Sequence, residues 1–139
     1  MASTYENDLR LQEIGTGEQS GTWGVTTNTN LELVAQSFGY SATGEVVPNA
    51  GSHTITLADG VADEARSLYL KLTGGGQACT ITLAPNTVSK VWMVENTTSY
   101  TLTFTQGSGA NVLVLAGQVK VIATDGTGSG GAVFDLMQD

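Results

Sequence analysis

From residue 52 onward, apolar and polar residues alternate in short runs that are separated by Gly, Asn, Asp and Ser turns. Alternation of this kind sends successive side chains to opposite faces of a β-strand. In the first run, His53, Ile55 and Leu57 share one face, and threonines occupy the other. The pattern predicts eight strands, within residues 52–58, 67–73, 78–84, 88–95, 99–106, 111–116, 118–125 and 132–137.

These strands predict an all-β fold, either an antiparallel β-sandwich or a jelly roll of about eight strands. Threonine-rich faces are typical of a sheet that packs on one side and meets water on the other. Two runs, 88–94 and 111–116, are instead apolar on both faces. Such strands are either central in a sheet or covered by something else, for example another subunit.

The first 51 residues lack this alternation. We predict an N-terminal docking arm over residues 1–51 and a β-sandwich domain over residues 52–139. The last part of the arm, residues 39–51, is predicted to be a link, because Pro48 and glycines interrupt any regular element there.

The arm itself divides into three parts. Leu9 and Leu11 suggest a short strand, and a loop punctuated by glycines follows at residues 15–24. Trp23 is the large apolar side chain available to anchor this loop. A short helix should then run to Phe38, with one of three polar residues as its N-cap, namely Thr27, Asn28 or Thr29. One side of this helix is apolar and consists of Leu31, Val34, Ala35 and Phe38.

Charge and hydropathy argue against nucleic acid and membranes as partners. The chain has 139 residues, with 13 acidic and 5 basic side chains and a net charge of −8. Nucleic acid is not expected as a partner, because its binding depends on Lys and Arg at the phosphates. No apolar run approaches the roughly 20 residues that a bilayer span needs, so membrane insertion is not expected. The first ten residues lack the apolar core of a secretory signal, which favours the cytoplasm.

Side chains suited to catalysis or metal binding are few. The single cysteine, Cys79, excludes an internal disulfide and a cysteine-rich zinc site. Cys79 shares a strand face with Ile81 and Leu83, so we predict a buried small apolar side chain. The single histidine, His53, is predicted to be a strand-end residue with a satisfied ring nitrogen.

The adjacent acids Asp63 and Glu64 are predicted to form a solvated turn, since acid–base catalysis needs two carboxylates facing one substrate. No nucleophile, base and orienting group can be combined from this sequence. We therefore predict no catalytic, metal or cofactor site, and we expect a protein that is not an enzyme.

Aromatic residues offer one further kind of site. Trp92, Tyr100 and Tyr69 are candidates for stacking on a sugar, and Tyr40 could belong to the same aromatic patch. A group of aromatic side chains is equally typical of a sandwich core, so both interpretations remain open.

Two segments carry a resemblance to a known family. Residues 8–34 resemble the opening of many bacteriophage tail and tail-fibre proteins, in which G-x-W-G-x-x-x-N-x-N precedes β-rich domains; here that motif is residues 21–30. Residues 114–128 resemble a looser strand-turn-strand pattern of the same proteins, A-G-x-x-x-x-I-x-x-D-G. The resemblance implies a virion structural protein, and by analogy a homotrimer.

The resulting hypothesis is a non-enzymatic virion protein, such as a short fibre, tail appendage or capsid-decorating protein, assembled in the host cytoplasm. Its expected partners are further copies of itself and other virion proteins. The residues expected to dock are Trp23, Asn28, Asn30, Leu31 and Leu33. The alternative hypothesis is a carbohydrate-binding module that recognises a host-surface glycan through the aromatic residues.

Overall fold

A computed structural model describes residues 2–137, apart from the side chain of Ala42. Met1 and the last two residues of the predicted β domain, Gln138 and Asp139, lie outside it. The described chain contains a helix, α1 (Trp23–Ser37), and two short 3₁₀ turns, Glu64–Arg66 and Gly128–Gly130. Its strands are β1 (Tyr40–Val47), β2 (Ser52–Thr56), β3 (Tyr69–Gly74), β4 (Cys79–Ala84), β5 (Val91–Asn96), β6 (Leu102–Thr105), β7 (Val112–Val114), β8 (Val119–Thr124) and β9 (Val133–Asp135).

The strands form two open sheets between which the chain alternates. One sheet has the order β1-β3-β5-β8-β9, and the other has the order β2-β4-β6-β7. The first six strands therefore go to the two sheets in turn, and within each sheet they pair in parallel. The last three strands add antiparallel pairs: β7 pairs with β6, β8 pairs with β5, and β9 pairs with β8.

Both sheets contribute to one hydrophobic core. Parallel pairing places buried side chains of successive strands beside each other, as with Ile81 next to Phe104 and Leu70 next to Val94. These pairs follow from the period-two pattern, because each strand turns its apolar face the same way. Cys79 is buried on the face it shares with Ile81, as predicted.

A buried amide links the two sheets near the antiparallel end. Asn96 is fully buried, and its Nδ2 donates to the carbonyl groups of Tyr100 (2.7 Å) and Val114 (2.9 Å). Its Oδ1 accepts hydrogen bonds from the N–H and hydroxyl of Thr98. Every polar atom of the side chain is therefore satisfied, which is the condition for burying an amide without a large loss of stability.

The mostly β composition and all eight predicted strands are confirmed, but the predicted strand direction is wrong. The sheets are mixed and open, whereas an antiparallel sandwich or jelly roll was expected. Alternation records which face of a strand is buried, and it has the same period whatever direction the neighbouring strand takes. The direction is set by the connections, which here carry the chain from one sheet to the other.

A ninth strand, β1, lies within the segment predicted to be a link. Its register with β3 shifts between Ser41 and Glu45, so its residues do not alternate regularly. Gly44 sits at this irregularity with φ +70°, and a Cβ there would lie 2.4 Å from the carbonyl oxygen of Lys71. Only glycine fits such a position, and the strand consequently has the sequence pattern of a loop. The division into an arm and a β domain stays a prediction.

The helix begins earlier than predicted, and the short strand before it is absent. α1 starts at Trp23, and Thr22 occupies the N-cap position, but its hydroxyl donates to the Gln19 carbonyl and does not cap the helix. The Trp23 side chain is 62% exposed, so it does not anchor the loop within the chain. Around Leu9 and Leu11 the described chain has only an isolated antiparallel bridge between Thr4 and Glu13.

Candidate functional site

The N-terminal segment is held against its own chain by one buried arginine, Arg66. Its Nε donates to the carbonyl oxygen of Leu9 at 2.8 Å. Its Nη1 donates to the carbonyl oxygen of Val61 at 2.7 Å and to Oε1 of Gln36 at 3.2 Å, and its Nη2 donates to the carbonyl oxygen of Ala58. One side chain thus joins the arm, the helix α1 and the loop that follows β2.

The charge of Arg66 is fully buried yet has counter-charges nearby. Burial lowers the pKa of Arg66, and the carboxylates of Asp63 and Asp59 oppose that shift. Further contacts hold the arm. Arg10 Nε lies 2.8 Å from Asp59 Oδ1, the N–H of Gly60 donates to the Arg10 carbonyl oxygen at 2.8 Å, and the N–H of Ser89 donates to Asp8 Oδ1 at 2.8 Å. The predicted arm is therefore folded against the chain and is not a free extension.

This attachment fixes which side of α1 faces the chain. Leu33 is 2% exposed, and Thr26 and Ser37 are also buried on that side. Asn30 holds the same side of the helix to the arm, since it donates from Nδ2 to the Gln12 carbonyl at 2.9 Å and accepts the Gln12 N–H at Oδ1. The inner side of α1 is thus mostly polar.

Away from this side, α1 leaves large apolar residues exposed. Leu31 is 62% exposed and Phe38, directly after the helix, is 77% exposed; seven positions apart, these two lie along one stripe. Trp23, at the first residue of the helix, is also 62% exposed. We call these three residues the α1 ridge. Tyr40, which is 61% exposed, continues the apolar surface into β1.

The predicted docking residues separate into two groups. Trp23, Asn28 and Leu31 are exposed and available to a partner. Leu33 is instead buried, and Asn30 hydrogen-bonds the backbone of the N-terminal segment, as short amides do at turns. The docking role of these residues stays a prediction.

Sequence reasoning missed two residues of the site, Phe38 and Arg66. Phe38 belonged to the predicted apolar stripe but was not included among the docking residues, although its spacing from Leu31 was a usable signal. Tyr40 was placed in the link and was named only as part of the aromatic patch. Arg66 had no usable signal, because a single basic residue beside acids reads as a surface turn.

Two of the three sugar-stacking candidates are occupied by other contacts. Trp92 is fully buried, and its Nε1 donates to the Ala65 carbonyl at 2.7 Å. Lys90 Nζ lies 4.6 Å from the Trp92 ring centroid, and burial lowers the pKa of Lys90 to about 8. The indole has no exposed face in this arrangement, so the prediction that a sugar stacks on Trp92 is wrong. Tyr69 stacks on Tyr40 with 4.6 Å between ring centroids.

Tyr69 also has a fixed hydroxyl, which donates to Glu95 Oε1 at 2.8 Å. Burial and this hydrogen bond to a carboxylate raise the pKa of Tyr69 to about 12, so the hydroxyl stays protonated at physiological pH. Tyr100, the third candidate, is 40% exposed.

Three carboxylates converge beside β1. Glu45, Asp63 and Glu64 each place an oxygen within 4.8 Å of the others, a separation that suits oxygen ligands of one hard cation. His53 Nε2 lies 3.6 Å from Glu45 Oε2, which is too long for a hydrogen bond. Among the described residues this buried nitrogen has no hydrogen-bond partner, so the predicted satisfied ring nitrogen is wrong at Nε2.

Within this cluster, the pKa of Glu45 is raised above its ordinary value. Burial raises the pKa of Glu45, the neighbouring Asp63 and Glu64 charges raise it further, and His53 opposes the shift. When an acid has a higher pKa in the folded chain than in the unfolded chain, its ionisation destabilises the fold. The fold recovers this stability as the pH falls through the folded pKa. The ionised Glu45 carboxylate therefore destabilises the fold at neutral pH.

Comparisons with protein-family models, with curated proteins and with solved structures find no match to this chain. Among the described residues, no helix combines the length and the apolar character needed to cross a bilayer.

Replacing Arg66 tests whether it holds the N-terminal segment. Arg66→Met removes four hydrogen bonds from a buried position, and we expect the free energy of unfolding to fall by about 3 kcal/mol. Residues 2–38 should also lose protection from proteolysis before the sheets unfold, as followed by mass spectrometry of the fragments. Arg10→Met is the matched control, because its ion pair is partly exposed and should contribute about 1 kcal/mol or less. Unchanged protection of residues 2–38 in Arg66→Met would contradict this role.

Proposed function

We propose that this chain is a non-enzymatic structural protein of a bacteriophage particle, such as a short fibre, a tail appendage or a capsid-decorating protein. It docks through its N-terminal segment and associates with further copies of itself, as a homotrimer, and with other virion proteins. The observation that carries the proposal is the α1 ridge: a helix fixed to its own chain on the inner side while its large apolar residues face outward.

The burial pattern of α1 departs from that expected for a surface helix, since Leu33 is the one large apolar residue buried on its inner side. A surface helix of a single chain normally packs its apolar stripe on the core and turns polar residues to water. Here Thr26 and Ser37 are buried while Trp23, Leu31 and Phe38 are exposed. Covering each of these large side chains would contribute on the order of 1.5–3 kcal/mol. An exposed apolar surface of this kind is typical of a site that meets another protein.

The assignment to a virion rests on the resemblance described above. The motif G-x-W-G-x-x-x-N-x-N covers residues 21–30, and its tryptophan is the first residue of the α1 ridge. The same resemblance supplies the expected three-fold assembly and the virion location. The 62% exposure of this tryptophan supports the proposal, because a partner can reach the side chain.

Charging the α1 ridge tests this proposal. The double variant Trp23→Asp, Leu31→Asp should leave the fold intact, because both side chains are exposed. It should reduce self-association at least 100-fold, since an aspartate cannot be buried without a partner for its charge. Sedimentation velocity over a concentration series measures the effect, and incorporation into particles gives a second readout.

The control for this variant is Asn86→Asp, Ser99→Asp, which adds the same charge at exposed turns outside α1. Self-association of the control should match that of the unaltered chain at physiological salt. Unaltered self-association and particle incorporation in the ridge variant would contradict the proposal.

Sugar binding is the second candidate function, and the Tyr40–Tyr69 pair is the observation that favours it. One face of Tyr40 is supported by Tyr69 while most of the ring remains exposed. A groove of about 390 Å³ lies beside it, and polar groups of Gln36, Glu64 and Ser67 are among its lining. An aromatic face next to amide, carboxylate and hydroxyl groups has the chemistry for holding a neutral sugar.

Tyr40→Ala tests the second candidate on a glycan array of bacterial surface polysaccharides. If the groove binds a sugar, this variant should lose at least ten-fold in affinity for the glycan, because it removes the stacking surface. Tyr100→Ala should retain binding, since Tyr100 lies outside this groove. Absence of any glycan signal from the unaltered chain would count against sugar binding and would leave the structural role untouched.

A further inference from the structure

We infer that the outer face of the five-stranded sheet is a two-fold interface between two copies of this chain. This surface, which we call the apolar face, consists of the side chains that β1, β3, β5, β8 and β9 turn away from the shared core. The inference goes beyond the proposed function, because the α1 ridge is not part of the apolar face. Two-fold and three-fold contacts on different surfaces can coexist in one assembly, as they do in D₃ symmetry.

A row of apolar and aromatic side chains crosses four strands of this face. In the register of the sheet, Tyr40 lies beside Tyr69, Tyr69 lies beside Met93, and Met93 lies beside Val121. Each of these side chains retains exposed surface, and Tyr40 is 61% exposed. The sheet therefore presents an apolar band on its outer side as well as towards the core.

A second apolar row lies on the same face. Val91 lies beside Ala123, and Ala123 lies beside Phe134; Val91 and Phe134 are 43% and 47% exposed. The strand β5, whose sequence is apolar on both faces, is central in its sheet and still exposes Val91. A central position in the sheet therefore does not account for the outer apolar side chains of β5, whereas a covering partner would.

The outer face of the four-stranded sheet has the opposite chemistry. Its strands carry threonines side by side, since Thr54 lies beside Thr82 and Thr82 lies beside Thr105. Threonine suits a strand surface that meets water. The chain thus places hydroxyl groups on the outer face of one sheet and aliphatic and aromatic groups on the outer face of the other. An exposed apolar surface of this extent is typical of a protein interface.

Two charges within the apolar face favour a second copy as its partner. Lys71 and Glu95 are register neighbours on β3 and β5. Within the part of the chain that the structure describes, Lys71 forms no ion pair, and Glu95 accepts the Tyr69 hydroxyl at Oε1. The two charges leave the centre of the face locally neutral, although the whole chain has a net charge of −8. Two such faces can therefore meet without a local excess of negative charge.

The positions of these residues make the face complementary to itself. A two-fold axis that runs along the strands, midway between β3 and β5, sets β3 of one copy opposite β5 of the other. Lys71 then meets Glu95 of the second copy, and symmetry forms the reverse pair. Tyr69 meets Met93 of the second copy in the same way, and a thioether packs favourably against an aromatic ring. One surface thus supplies both halves of the contact, as an isologous dimer requires.

The apolar face is also large enough for a specific contact. Five strands about 4.8 Å apart and about 20 Å long have a footprint of about 24 Å by 20 Å, or about 480 Å². Two copies together give about 960 Å² as a flat projection, and the projecting side chains add to the accessible area. This sum reaches the roughly 1,000 Å² that a specific interface needs.

Reversing one charge at a time tests the inference. Lys71→Glu sets acid against acid at both cross-interface pairs, and Glu95→Lys sets base against base. We expect each variant to lose at least ten-fold in association between two copies. An equimolar mixture of the two should form one-to-one heterodimers, because every pair across the interface then joins opposite charges. Native mass spectrometry with one variant labelled with ¹⁵N counts the heterodimers, and thermal melts establish that both variants fold.

The control is the double variant Lys71→Glu, Glu95→Lys. It keeps the net charge of the chain and restores opposite charges across the interface, so it should associate like the unaltered chain. It also replaces the acceptor of the Tyr69 hydroxyl, as Glu95→Lys does, and thereby separates the loss of that hydrogen bond from the effect of charge.

The outcomes separate this contact from the one proposed at the α1 ridge. The ridge variant, Trp23→Asp, Leu31→Asp, keeps the apolar face and should stop at the two-copy pair. Charge variants that associate like the unaltered chain, or a mixture without an excess of heterodimers, reject the apolar face and leave the ridge standing. A chain that is monomeric at all concentrations rejects both contacts.

Cross-linking provides an independent measurement if a charge variant fails to fold. Met93→Cys places a thiol close to the proposed axis, where a short bismaleimide reagent can join two copies. Thr54→Cys is the control, because it places a thiol on the exposed outer face of the other sheet. The native Cys79 is buried and should not react. We expect at least ten-fold more cross-linked dimer from Met93→Cys, and equal yields would reject the apolar face as the interface.

Discussion

The buried guanidinium of Arg66 is the contact on which the arrangement of the N-terminal segment depends. An unpaired charge at such a position would be strongly unfavourable, so its four hydrogen bonds and the nearby carboxylates must remain in place together. Three of its acceptors are backbone carbonyl groups, which leave the arm and the loop after β2 little freedom to move apart. Because Gln36 is the fourth acceptor, the same side chain also sets the rotation of α1 about its axis.

That rotation decides what the molecule presents to a partner. With Leu33 and Asn30 turned inward, the side chains of Trp23, Leu31 and Phe38 point away from the chain. Exposure of these three side chains adds no contact within the chain, and each side chain would be more stable if it were buried in a core. We propose that a second protein surface covers the exposed ridge, while the two sheets with their shared core form the body to which α1 is held.

How far the sequence could predict this structure depends on what each pattern records. Strand positions were accessible because alternation directly reflects burial, as at Ile55 and Leu83. Strand direction was not, and β1 was hidden because Gly44 interrupts its alternation. The apolar side of α1 was predictable from its spacing. Its outward orientation was not, because a buried arginine nearly thirty residues beyond the helix determines it.

Whether the α1 ridge is covered on assembly can be measured directly with 5-fluorotryptophan. The chain has two tryptophans, so its ¹⁹F spectrum should show one resonance for exposed Trp23 and one for buried Trp92. At low concentration only the Trp23 resonance should shift when H₂O is replaced by D₂O. We predict that this solvent shift disappears as the concentration rises and copies associate, while the Trp92 resonance stays unchanged. A Trp23 resonance that remains solvent-sensitive in the assembled protein would contradict the central claim that the ridge is an interface.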